Sequence, residues 1–216
     1  MSEIDLMDLY PRAKRDLDHR VAVGEEDRRI AKQFGREFFD GTRDQGYGGY
    51  RYDGRWIPLV KKMRDHYGLA DDAGILDVGC GKGFMLHDFK LVMPLCTVAG
   101  IDISEYAIEN AMQNVKPYLT VGNCKDLPYP DESFDLVVSI NTVHNLGRDE
   151  CIRAIREIER VGRMHKFVVV DAYRDEQEKE RIYKWNLTAQ TILHVDDWEE
   201  LFEEAGYRGD YYWFTP

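Results

Sequence analysis

In the stretch ILDVGCGKGFML (75–86), Asp77 is followed by glycine at 79, 81 and 83. That spacing carries a chemical meaning. Glycine has no Cβ, so the main chain can bend sharply there and a ligand can lie directly against it. Ile75, Leu76 and Val78 read as a buried strand, and Phe84, Met85, Leu86 and Phe89 have helical apolar spacing. Strand, tight turn and helix in that order form a seat for a nucleotide or nucleoside. A dinucleotide site asks for Gly-x-Gly-x-x-Gly, and position 84 is Phe. A phosphate loop asks for Gly-Lys-Ser/Thr, and Lys82 is followed by Gly83 and Phe84.

More polar groups recur at the ends of apolar runs. A second run, 97–101, ends in Asp102, whose two oxygens can accept both hydroxyls of a ribose in the same crevice. A third, 119–122, leads to Asn123 and Cys124. Then comes LPYPDESFDLVVSINTVHNL (127–146), with Asn141 at the tip of a fourth strand and His144 just after it. These four blocks, in this order, resemble the class I S-adenosylmethionine-dependent methyltransferases over residues 74–171, with a weaker echo in EELFEEAGY (199–207). The resemblance implies a Rossmann-like, doubly wound, mostly parallel α/β sheet of six or seven strands, and S-adenosyl-L-methionine as cofactor. It assigns cofactor contacts to Asp77, Gly79, Cys80, Gly81, Gly83, Asp102, Ile103, Asn123, Cys124 and Asn141. The family usually has Asp-Ala where this chain has Asn123 and Cys124, so the adenine contact keeps a carbonyl acceptor and loses a charge. Sheets of this family end in two strands, the last antiparallel and inserted beside the fifth, whereas only one terminal strand, 207–214, is legible here.

A sulfonium methyl is already electrophilic, so displacement chiefly needs an acceptor held in line about 3 Å away. An amine has only to arrive unprotonated. A hydroxyl gains from a base, and His144 is the candidate, since its ordinary pKa suits proton transfer near neutrality. The competing role for His144 is a hydrogen bond to a helix cap. The stretch GYGGYRYDGRW (46–56) is too rich in glycine for a helix, yet it carries Tyr47, Tyr50, Tyr52 and Trp56. It is expected to act as a gate over the cofactor, its rings and Arg51 or Arg55 meeting the methionine carboxylate or the acceptor. Pinning a loop over the first core helix is the structural alternative. Asp171, Tyr173 and Arg174 follow the fifth strand, 166–170, and are acceptor-site candidates. Arg174 also suits a helix cap. This aromatic segment resembles small methyltransferases of bacterial surface-polysaccharide and sugar pathways. The expected reaction is O-methylation of a sugar, free or linked to a nucleotide. N-methylation of an amino sugar or small amine, and a cofactor-binding scaffold without catalysis, are the alternatives.

The elements that must position these groups are legible in outline. Residues 1–56 are expected to form a helical cap and gate, and 57–216 the cofactor-binding core. Apolar spacing predicts helices through Leu6, Leu9, Ala13 and Leu17, through Ile30, Phe34 and Phe38, and over 57–67, 148–161, 176–193 and 196–205. At 216 residues and 44% hydrophobic content, one globular unit is expected. A net charge of −11 argues against general nucleic-acid binding. The basic groups Arg12, Lys14 and Arg15, and Lys61, Lys62 and Arg64, read as solvated helix surface. The four cysteines have no Cys-x-x-Cys spacing and read as buried thiols, so no metal is expected. Without an apolar run of about twenty residues or a signal-like N-terminus, no membrane contact and a cytoplasmic location are expected. The oligomeric state stays open, a homodimer included.

Overall fold

Strands covered on both faces read as continuous apolar runs, and those runs build the sheet. The computed structural model describes residues 1–11 and 15–216, so Arg12, Ala13 and Lys14, named above, lie outside the described residues. The strands are β1 (Gly74–Val78), β2 (Thr97–Asp102), β3 (Leu119–Val121), β4 (Phe134–Ile140), β5 (Gly162–Tyr173), β6 (Leu193–His194) and β7 (Asp210–Phe214). The sheet runs β3-β2-β1-β4-β5, with β6 and β7 both pairing with β5. It is therefore seven-stranded and doubly wound. The order reverses at β1, between β2 and β4, and the crevice at such a reversal is where α/β sheets bind ligands.

All strand pairings among the described residues are parallel, which departs from the antiparallel insertion that the resemblance implies. β7 lies directly beside β5, in register from Phe167 with Asp210 to Asp171 with Phe214. Its outer edge is covered by the N-terminal segment. The Ile4 N–H donates to the Tyr211 carbonyl at 2.8 Å, and the Tyr211 N–H donates to the Ser2 carbonyl at 3.0 Å.

Side chains alternate across the strands and give two apolar layers. On one face Leu76, Val78, Val137, Val168 and Val170 pack against α7 (Arg148–Val161) and α9 (Val195–Ala205). On the other, Ile75, Leu136, Val138, Phe167 and Val169 pack against α4 (Ile57–Tyr67) and α5 (Phe84–Val92). α6 (Glu105–Glu109) follows β2, and α8 (Glu176–Trp185) follows β5. Three short helices precede the sheet: α1 (Leu17–Val21), α2 (Glu25–Ala31) and α3 (Arg36–Asp40).

Several expected boundaries shift. Leu6 and Leu9 lie outside any helix. Leu6 is buried in the core as part of the N-terminal strap, and Leu9 is exposed. The helix expected through Ile30, Phe34 and Phe38 is broken by Phe34, whose φ of 50° is left-handed and separates α2 from α3. The fifth strand runs on to Tyr173. The helix expected to reach 193 stops at Trp185, because the Asn186 side chain exchanges hydrogen bonds with Ala189 N–H and C=O and closes a loop instead. No helix among the described residues is long and apolar enough to cross a membrane.

Candidate active site

The glycine turn sits at the end of β1, and tertiary contacts explain why glycine is required. Gly79 has φ 88°, and a Cβ there would lie 1.9 Å from Thr142 Oγ1, which crosses over from the end of β4. The Gly81 N–H donates to Asp102 Oδ2, and the Ser104 N–H donates to Oδ1, both at 2.8 Å. Two backbone donors thus fix the Asp102 carboxylate, and each oxygen keeps a lone pair for a ligand hydroxyl. Asp102, Gly79, Gly81, Ile103, Asn123, Cys124 and Asn141 share one cavity of about 130 Å³. Asn123 Oδ1 also accepts from the Lys125 N–H at 3.1 Å. Gly83 lies behind the turn, capping α5 with φ 72°, and lines no cavity wall here.

Asp77 and Cys80 line a larger neighbouring cavity of about 770 Å³, and Gly79, Tyr47, Tyr50, Ile140, Asn141 and Asn145 border both. Burial first, and then the Asp102 charge, push the Asp77 carboxyl up to about 8. Burial also raises Asp102, against the two backbone N–H groups that lower it. Neither acid has an ion-pair partner among the described residues, so a cationic ligand group is what Asp77 lacks. Asn145 Oδ1 is likewise buried with no hydrogen-bond partner there. Asn141 is held at φ 53°, a left-handed conformation that asparagine tolerates better than most residues. This donor set fits a nucleoside with a ribose diol and a charged amino-acid tail, as S-adenosylmethionine has.

His144 and Asp171 meet in the wall of the larger cavity. The Asp171 backbone N–H donates to His144 Nδ1 at 2.8 Å, and an Asp171 carboxylate oxygen lies 3.5 Å from the same nitrogen. With Nδ1 accepting, the neutral ring carries its proton on Nε2, which has no partner among the described residues. Burial lowers the His144 pKa against the pull of Asp171, and burial raises Asp171. In this tautomer the ring offers the cavity an N–H donor.

The segment before α4 covers both cavities with rings. Phe34, Phe38, Phe39, Tyr47 and Tyr50 roof the smaller one, and Tyr50 stacks on Phe84 at 4.7 Å. Polar bonds pin this roof to the core. Lys82 Nζ donates to Asp40 Oδ2 at 2.6 Å and to the Tyr50 carbonyl at 3.1 Å, and Tyr106 Oη donates to the same Asp40 oxygen at 2.6 Å. Ser104 Oγ donates to the Phe34 carbonyl.

Of the expected acceptor residues, Tyr47, Tyr50, Arg55, Trp56 and Asp171 line the larger cavity. Three lie elsewhere. The Tyr52 hydroxyl is turned to Asp88 at 2.6 Å. Tyr173 is carried past the cavity by the longer β5, and its ring meets His194 at 5.6 Å. Arg174 is half-exposed and pairs with Glu3 and Glu178. Sequence reading missed Arg20, Arg43 and Arg181 and took Arg15 for solvated helix surface, whereas it lines this wall with them. They are distant in sequence, and no motif links them.

A family model described as a methyltransferase domain matches residues 76–170. The demethylmenaquinone methyltransferase of Symbiobacterium thermophilum is 30% identical, over 82% of this chain and 85% of that protein. The 27-O-demethylrifamycin SV methyltransferase of Amycolatopsis mediterranei is 26% identical, over 80% of this chain and 71% of that protein. Among solved structures, the YcgJ protein of Bacillus subtilis matches with a TM-score of 0.56 at 18% identity, covering 68% of this chain and 66% of that one, a likeness of fold. The parallel sheet with its reversal at β1, the glycine turn gripped by Asp102, and a relative 30% identical over 85% of its length lead to one statement: the chain belongs to the class I S-adenosylmethionine-dependent methyltransferases.

Proposed function

We propose that this enzyme methylates a hydroxyl of a sugar, free or linked to a nucleotide, in the larger cavity between the aromatic roof and the sheet. The observation that carries the reading is the makeup of that wall: Tyr47, Tyr50 and Trp56 offer ring faces, while His144, Asp171 and Arg55 offer polar groups. A hydroxyl-rich ring needs that combination, stacking through one face and hydrogen bonding around its edge. Residues 1–56 serve as cap and gate, and residues 57–216 as the cofactor-binding core. Four free thiols suit a cytoplasmic enzyme.

When bound, S-adenosylmethionine supplies a methyl group made electrophilic by its sulfonium. Asp102 holds the ribose hydroxyls, Asn123 the adenine amino group, and Asp77 the charged tail. The acceptor hydroxyl must lose a proton as its oxygen bonds to carbon. His144 Nε2–H orients that acceptor, and the buried Asp171 carboxylate, its pKa raised by burial, takes the proton.

The test is transfer of labelled methyl to a panel of sugars, nucleotide-linked sugars and amino sugars. Asp171→Asn should lower kcat by about 10²–10⁴ with KM little changed, and His144→Gln should chiefly raise KM. Transfer to amines alone, with Asp171→Asn fully active, contradicts the proposal.

A further inference from the structure

The far wall of the larger cavity is cationic, in a chain whose net charge is −11. Arg20 is 5% exposed, and its Nε and Nη1 are buried without a hydrogen-bond partner among the described residues. The Arg15 guanidinium lies 4.6 Å from the centroids of both Trp185 and Phe214, and that of Arg20 lies 4.8 Å from Trp185. Arg43, exposed at the rim, donates through Nη1 to the Tyr47 carbonyl at 3.0 Å. The arginine ion pairs of the described residues all involve other arginines.

Arg15, Arg20 and Arg43 form no ion pair among the described residues, and their charges repel one another. Arg43 lowers the pKa of both Arg15 and Arg20, after burial itself, with Asp171 and Asp44 as the opposing acids. A desolvated, unpaired cation is costly, and that cost is recovered when an anion arrives. The rings hold Arg15 and Arg20 through cation–π contacts. Their N–H edges stay available for paired hydrogen bonds to oxygen. A carboxylate, with one charge and two oxygens, satisfies one such fork. A phosphate ester carries up to about two charges and three oxygens, which matches a cluster of three.

Taking this cavity as the acceptor site proposed above, we infer that Arg15, Arg20 and Arg43 bind a phosphate group carried by the acceptor. The methylated hydroxyl then lies toward His144 and Asp171, and the phosphate toward α1 and α8.

Calorimetry on the full chain loaded with S-adenosylhomocysteine tests this with three probes: uridine diphosphate, inorganic pyrophosphate and glucuronate. Both phosphate probes should bind and glucuronate should not. Tighter uridine diphosphate assigns the phosphate to a nucleotide, and equal affinities assign it to a simple phosphosugar. Arg43→Gln, at the exposed rim, and Arg20→Gln should each weaken pyrophosphate about tenfold, and Arg20→Gln should leave S-adenosylhomocysteine binding unchanged. Equal binding of glucuronate, or pyrophosphate affinity indifferent to Arg43→Gln, overturns the anion site. Absent phosphate binding with intact sugar methylation overturns it alone. Phosphate binding that fails to compete with the acceptor overturns instead the assignment of this cavity to the acceptor.

Discussion

Asp77 shows how a single side chain couples ligand binding to protons. With its pKa raised to about 8, it holds a proton near pH 7 when no cation faces it. In the proposed site an ammonium group meets Asp77 and favours the carboxylate, so binding S-adenosylhomocysteine should expel that proton. Calorimetry at about pH 7 in buffers of different ionisation enthalpy should show close to one proton released, and none for Asp77→Asn. Equal proton release by the two proteins counts against the assignment. Stability follows the same group. The folded pKa lies above the ordinary carboxyl value of 3.8, so stability present below that value is lost as pH rises through about 8. The melting temperature of Asp77→Asn relative to the parent protein should accordingly climb between about pH 5 and pH 9 in the free protein.

At the scale of elements, the roof over the nucleoside site depends on one lysine of the glycine turn. Lys82 is 7% exposed and joins the glycine turn to α3 through Asp40. Its neighbour Tyr106 shares that carboxylate, which lowers the Asp40 pKa against burial. Lys82→Met keeps the apolar stem and removes the charge. Faster amide exchange in residues 36–50 and about tenfold weaker S-adenosylhomocysteine binding are expected. The double variant with Asp40→Asn should lose less than the sum of the two single losses, because the Lys82–Asp40 pair is removed in both. Additive losses point to separate roles.

For the molecule as a whole, the strap at residues 2–11 ties the outer strand to the cavity. Its first residues pair with β7, Leu6 is 1% exposed in the core beside α4, and Met7 and Tyr10 line the larger cavity. Leu6→Ala leaves a cavity at a fully enclosed site, so unfolding in urea should show a loss of about 2–5 kcal/mol. A loss below about 1 kcal/mol, typical of surface positions, means the strap is not part of the cooperative unit.

The sequence by itself determined the central strands and the glycine turn, because both rest on local signals. Apolar runs, a glycine turn and an acid at a strand tip are set by residues within a few positions of one another. The central strands, α4 and α7 therefore appeared where their spacing put them. The tertiary structure alone decided the rest. Arg15, Arg20 and Arg43 converge only because α1 and the loop after α3 fold back over the sheet, and Tyr52 turns to Asp88 through a contact thirty-six residues away. His144 acquired its tautomer from the Asp171 backbone N–H across two strand ends. β7 came to lie parallel to β5, its outer edge covered by the N-terminal strap, through hydrogen bonds between backbone groups, and those groups are the same in every residue and so leave no mark on composition or periodicity.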